Sequence, residues 1–230
     1  MIQSVSKKLE MAILSGDLKP RERLVELELS SRLNASRFLV RKAIHELARK
    51  GLIELFPNKG ARVVDPSREE VEDIFLVRLN LELLSAQLMV KKMNPGRLEQ
   101  IKAAQREYRK VVRQGVLEEM ISKNEQFHHT LYEATANKFL HELLDKVRNV
   151  TYFFRYNAYF LPGRPQKSVA DHENIIHALE ERNLPRLKSL IEKSVLFPMN
   201  IYFLKEGNSR ASEKLQKKTG KKQNSKSKST

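Results

Sequence analysis

The sequence predicts a mainly α protein: an N-terminal winged helix-turn-helix followed by an all-α helical bundle. Three observations predict it. Helix formers dominate a chain of 230 residues that contains only eight glycines and eight prolines. Within the first 65 residues, three short segments with apolar residues at helical spacing precede two β-type runs around a turn. From Pro66 to about Lys205 every apolar pattern is helical, and no strand pattern appears.

The first segment, residues 1–65, builds up as follows. Helix one runs from about Ser4 to Ser15, with Val5, Leu9, Ala12 and Ile13 on one face, and Gly16 caps its end. "LKPRERL" reads as a loop into helix two, about Val25 to Leu33. "NAS" makes a tight turn, because Asn34 tolerates positive φ and Ser36 is a good N-cap. Helix three is "SRFLVRKAIHELARK", stopped by Gly51. "LIELF" and "ARVV" are short strands on either side of "PNKG", which makes a wing.

The second segment, residues 66–205, starts at "DPSREEVED", where Ser67 and Glu70 form a capping box. Helices are predicted over 68–92, 96–114, 117–135, 138–160, 168–182 and 185–204. They are separated at Asn94-Pro95-Gly96, Gly115, Asn137, Pro162-Gly163 and Pro185. Residues 206–230 are rich in lysine with almost nothing to bury, and are expected to be a disordered basic tail.

Composition narrows the function. The formal charge of +15 is unevenly spread: residues 1–65 carry 13 basic and 8 acidic groups, 66–204 carry 21 and 18, and 205–230 carry 9 and 2. A polyanion is the partner such a distribution fits. No cysteine is present, which removes disulfides and thiolate sites and suits a reducing cytoplasm. No apolar run approaches the ~18 residues of a membrane span, and "MIQSVSKKLEMAIL" lacks the apolar core of a signal peptide. No Gly-rich phosphate loop, nucleophile with base and orienter, or paired-carboxylate site appears, so no enzyme is expected.

Helix three carries the DNA chemistry. Val40, Ala43, Ile44 and Leu47 cover one arc, while Arg37, Arg41, His45 and Arg49 cover the next, with Lys42 at its edge. Arg37 and Arg41 stand in the first two turns, where a guanidinium can bond guanine O6 and N7 together. Ser36 caps an N-terminus that favours phosphate, and Lys59 and Gly60 at the wing tip suit the adjacent minor groove or backbone. A solvated basic face gives the same periodicity. The short turn before the helix and the basic hairpin after it favour DNA. Residues 12–63 then resemble the DNA-binding domain of the GntR family of bacterial transcription regulators. The match holds at Gly16, Leu18, Pro20, Leu24, Leu29, Ser36, Arg37, Val40, Arg41, Ala43, Leu47, Gly51, Pro57, Gly60 and Val63. Arg21, Ser30 and Leu39 depart from the usual Gly, Ala and Pro. The resemblance implies that Arg37 and Arg41 read bases and phosphate and that the Gly60 tip touches DNA.

In the second segment Asn124 and His128 are i, i+4 on one helix face, and His172 opens a later helix motif. "FHHTLYEATANKFL" and "HENIIHALEERN" resemble the FCD-type effector domain of the FadR-like branch. In that branch an Asp or Asn, a His four residues on and two later histidines hold a divalent metal (Zn, Ni or Mn). Here Asn124 stands where Asp is usual and Ser194 replaces the last histidine, which weakens or removes the site. The alternative is a pair of hydrogen-bonded histidines inside a bundle. His129, His141 and His177 have no partner at ligand spacing and read as surface or packing residues. The branch implies a small-molecule effector, typically a carboxylate or sugar acid and in some members a fatty acyl-CoA, with Arg78, Arg155 and Ser194 as pocket candidates. Arg78 also has a partner at i+4 in Glu82. "YFFRYNAYF" reads as bundle core plus a dimer contact rather than a base-stacking surface. The resulting expectation is a cytoplasmic, ligand-responsive repressor that binds a palindromic double-stranded operator as a homodimer. The competing readings are a metal-dependent helical hydrolase with a basic nucleic-acid-associating segment, and nonspecific binding through the tail.

Overall fold

A computed structural model describes residues 2–204, so the basic segment 206–230 lies outside the described residues. The first 65 residues form α1 (Ile2–Leu14), β1 (Arg23–Leu24), α2 (Glu26–Leu33), α3 (Arg37–Arg49), β2 (Ile53–Phe56) and β3 (Gly60–Val63). Asn34 takes the left-handed conformation (φ 48°) at the end of α2, and the Ser36 side chain accepts from Leu39 N at the start of α3. The faces of α1, α2 and α3 meet over a core that includes Leu9, Leu29, Val40, Ala43, Ile44 and Leu47. Each of these is almost wholly shielded from water, which is what holds so short a segment together.

The sheet corrects one expectation. "LKPRERL" is more than a loop: it contains β1, and the strand order is β1-β3-β2, all antiparallel. Arg23 pairs with Arg62 and Leu24 with Ala61. Two residues are too few to show strand alternation, but Leu24 is buried beside Ala61 and so gains its place through tertiary packing.

From Pro66 onward the chain is helical throughout the described residues. The helices are α4 (Arg68–Lys92), α5 (Pro95–Gln114), α6 (Leu117–Glu133), α7 (Lys138–Val150), α8 (Tyr152–Tyr159) and α9 (Arg164–Glu180), followed by α10 over 184–204. Glu70 Oε2 accepts from Ser67 N, and Ser67 Oγ accepts from Glu70 N, completing the capping box. α5 packs on α6 and α9, and α4 and α6 pack on α7, around Phe75, Met89, Ile101, Phe127, Tyr132, Leu144, Leu179 and Leu187.

Two helices differ from the expected spans. The segment 138–160 divides at Thr151. Its buried hydroxyl donates to Val147 O at 2.9 Å and accepts from Arg78 Nη1 at 3.3 Å. A side chain that bonds back to the preceding turn bends a helix, and here a distant arginine holds the bend. The next helix begins at Arg164 rather than 168, because Pro165 fits a first helical turn, where no N–H is needed. No described helix is long and apolar enough to cross a membrane.

α8 seats the bundle on the first segment. Tyr152 and Phe153 pack against the N-terminal core, and Tyr156 Oη lies 3.1 Å from Met11 Sδ. Lys50, which caps α3, stands 3.5 Å from Glu10 and over the Tyr152 ring at 5.5 Å. Gly51 (φ 66°) lies so close to Val150 that a Cβ would come within 2.8 Å of its Cα.

Candidate nucleic-acid interface and ligand pocket

α3 presents Arg37, Phe38, Arg41, Lys42, His45 and Arg49 to solvent. Arg37 and Arg41 side chains are 63% and 59% exposed. Arg41 Nε and Nη2 donate to the two Glu26 carboxylate oxygens, at 2.7 Å each, and Arg37 Nη2 lies 4.0 Å from the same group. These hydrogen bonds from Arg41 hold the Glu26 carboxyl below its ordinary value. The bidentate fork is the geometry that guanine O6 and N7 would otherwise receive. Arg49 stands about 18 Å along the axis from Arg37, at the far end of α3 from the N-terminal half.

A groove between α3 and the wing is lined by Arg41, His45, Asn58 and Gly60. Gly60 (φ 90°) and Asn58 (φ 58°) let the "PNKG" turn close, with Lys59 exposed at its tip. Phe38 escaped sequence reasoning. It is 63% exposed in the first turn of α3, with Lys42 Nζ 4.8 Å from its ring centroid, and an aromatic there can meet a thymine methyl. Its only sequence signal was an apolar residue off the buried arc.

The bundle brings all six other candidate residues to one cavity: Arg78, Asn124, His128, Arg155, His172 and Ser194. Its free space is about 60 Å³, room for a few waters. His172 Nδ1 bonds Gln105 Oε1 at 2.9 Å, and its ring stacks on Phe127 at 3.8 Å. With that proton on Nδ1, Nε2 is an acceptor, 3.4 Å from Ser168 Oγ and 3.5 Å from Asn124 Nδ2. His128 stands edge-on to His172, 5.3 Å between centroids. Burial above all, reinforced by Arg148 near His128 and Arg164 near His172, keeps both imidazoles well below the ordinary histidine value. Both are therefore neutral near pH 7.

Arginines dominate the charge here. Arg78, Arg148, Arg155 and Arg164 all line the cavity. Arg78 is committed to Glu82 (3.3 Å) and Thr151. Glu82 also accepts from Tyr132 Oη at 2.7 Å. Arg148 and Arg155 share Glu125, and Arg164 donates to Asp171 at 2.7 Å. Burial pushes the Glu125 carboxyl up, but the two guanidiniums outweigh it and bring its pKa to about 2. Burial and then Arg148 lower Arg155 to about 10. Two polar atoms on this wall, His128 Nδ1 and Arg155 Nε, are buried with no hydrogen-bond partner.

A divalent metal does not fit this donor set. Asn124, His128, His172 and Ser194 supply no negative charge, both carboxylates beside them are engaged by arginines, and four guanidiniums repel a cation. The chemistry suits an anion.

One further expectation is corrected. His129 and His141 do have a partner: with Asp145 they place three ligating atoms within 4.8 Å of one another. They are 12 residues apart, and only the antiparallel α6–α7 turn brings them together. His177 pairs with Glu180 at 3.1 Å on the surface.

Comparison with known proteins agrees with this architecture. Residues 1–63 match the bacterial regulatory proteins, gntR family, and residues 73–195 match the FCD domain. The chain is 26% identical over 176 residues to the uncharacterized HTH-type transcriptional regulator YdhC of Bacillus subtilis, covering 76% of this chain and 79% of that one. It is 23% identical over 181 residues to the HTH-type transcriptional repressor RspR of Escherichia coli, covering 79% of each. Among solved structures, Escherichia coli McbR/YncC superposes with a TM-score of 0.62 at 20% identity, over 90% of this chain and 98% of that one, which shows a shared fold. These relatives are transcription regulators and not enzymes, which sets the hydrolase reading aside. The chain thus belongs to the GntR family, and is a DNA-binding transcription regulator that couples a winged helix-turn-helix to an FCD effector domain.

Proposed function

We propose that this regulator is a cytoplasmic repressor that binds a palindromic operator as a homodimer and is released by a small anionic effector, a carboxylate or sugar acid. The observation that carries the effector is the pair of unpartnered polar atoms, His128 Nδ1 and Arg155 Nε, in a cavity lined by four arginines. A ligand carboxylate can take the place of Glu125 on Arg148 and Arg155. At about 60 Å³ the cavity admits such a ligand only when the Glu125 side chain swings out.

The route to DNA runs through α8. Arg155 lines both this cavity and the cleft that contains Glu10 and Lys50. A shift of α8 moves Tyr152 and Tyr156 against α1 and the end of α3, and so changes the spacing of two winged helices. The dimer reading rests on exposed apolar residues on two packed helices: Val77 and Leu84 on α4, and Phe139 and Leu143 on α7. The name of the relative RspR supports repression. On DNA, Arg37, Arg41, Ser36, Lys59 and Gly60 make the contacts, with Arg49 confined to phosphate.

The test is thermal denaturation of the full chain against a panel of mono- and dicarboxylates and sugar acids. One class should raise the melting temperature and lower operator affinity, and Arg155→Gln should abolish both effects. A panel with no effect, or a response unchanged in Arg155→Gln, would contradict the proposal.

A further inference from the structure

The outer side of the α6–α7 pair carries a second cluster that the anion pocket does not use. His129 and Glu133 lie one turn apart on α6, and His141 and Asp145 one turn apart on α7. His141 Nε2 is 3.3 Å from Asp145 Oδ2, and His129 Nε2 is 3.9 Å from the same oxygen. The two imidazoles meet edge to face, 4.3 Å between centroids. We infer that this cluster binds a divalent transition-metal ion of the zinc or nickel class, held by His129 Nε2, His141 Nε2 and Asp145 Oδ2.

Three features carry the inference. Ligand atoms around a tetrahedral ion with bonds of about 2.0–2.1 Å sit roughly 3.3–3.4 Å apart. The His141–Asp145 distance already has that value, the His129 side chain, 49% exposed, has about half an ångström to close on Asp145, and all three ligating atoms lie within 4.8 Å of one another. Second, His141 Nε2 is buried and makes no hydrogen bond, because Asp145 lies off its bonding direction. A shielded lone pair with no donor, beside a carboxylate and not among the guanidiniums that surround His128, can ligate a cation. Third, Glu133 Oε1 lies 3.7 Å from His129 Nδ1, on the side away from Asp145. A carboxylate in that place, once it closes to hydrogen-bond distance, accepts from Nδ1–H and fixes the tautomer that leaves Nε2 free to ligate. Glu133 is thus a positioning residue.

Two imidazoles and one carboxylate leave a fourth position open to water or an exogenous ligand. The site also adjoins the regulator's own wall. His129 follows His128, and Asp145 precedes Arg148 by one turn on α7. An ion here ties α6 to α7 behind the anion cavity.

Zn²⁺ titration of the untagged full-length protein, with Co²⁺ absorption as a geometry probe, tests the site. The wild type should bind one saturating equivalent. His129→Gln and Asp145→Asn, both at exposed side chains, should each remove that equivalent, and Glu133→Gln should weaken it by about 10–100-fold. His172→Gln, inside the anion cavity, should leave it unchanged. Absence of a saturable equivalent would overturn the inference. So would an equivalent that survives His129→Gln and Asp145→Asn, or one that disappears with His172→Gln.

Discussion

Under the proposed function Arg41 has two competing partners, Glu26 in the free protein and a base edge on the operator. The Glu26 pair is bidentate but exposed, and water screens such pairs heavily. A guanine contact of the same geometry contributes about 1–3 kcal/mol. In the proposed complex the base contact therefore outweighs the Glu26 pair, which only competes with it. Arg41→Ala should weaken operator binding by about 1–3 kcal/mol and relax specificity at one base pair, read by fluorescence anisotropy on a set of single-base variants. Glu26→Gln should tighten binding by up to about fivefold, because the competing pair is lost. Weaker binding in Glu26→Gln would mean that the carboxylate positions Arg41 rather than restrains it.

The exposed arginines were legible in the sequence because a recognition helix separates its faces by residue type: Val40, Ala43, Ile44 and Leu47 are buried and Arg37 and Arg41 are not. Glu26 was not legible as a partner. It lies 15 residues from Arg41, and only the α2–α3 turn brings them together.

At the scale of elements, the contact between α3 and the α7–α8 bend matters most. Gly51 ends the α3 segment at φ 66°, and its missing Cβ makes room for the Val150 backbone. Gly51→Ala should cost about 1–3 kcal/mol from its left-handed φ alone, and the clash with Val150 should loosen the two halves of the chain. Calorimetry should show a lower melting temperature and a split transition in place of a single one. An unchanged single transition would show that α8 does not seat the bundle on α3.

Sequence patterns located the helices of this region but not the bend. Every residue of 138–160 is compatible with a helix, and the break at Thr151 depends on Arg78, 73 residues away. β1 was hidden for a similar reason, since two residues carry no period. Asn124, His128, His172 and Ser194 stood out by motif spacing, Arg78 and Arg155 by the chemistry of a guanidinium, and the fold gathers all six. The His129–His141 pair had no motif at all, because it joins two helices across a turn.

For the whole molecule, the proposed function makes charge and two-fold symmetry set the behaviour on DNA. Residues 205–230 carry a net +7, close to half of the total. Such a charge should add counterion release without sequence reading. Deleting 206–230 should weaken binding and flatten its salt dependence, with a slope change of about 0.9 for each phosphate that the segment neutralises, while base preferences stay the same. A sequence preference that vanished with the tail would assign the reading to the wrong end of the chain.

Under the proposed function, the α3 N-terminus reads a two-fold symmetric operator. Selection of bound fragments from a genomic DNA library, followed by sequencing, tests it most directly when run on the full chain and on an Arg37→Ala/Arg41→Ala variant. The native chain should yield an inverted-repeat consensus, and the variant residual, sequence-independent binding. The same consensus from both proteins, or no consensus from the native chain, would contradict it.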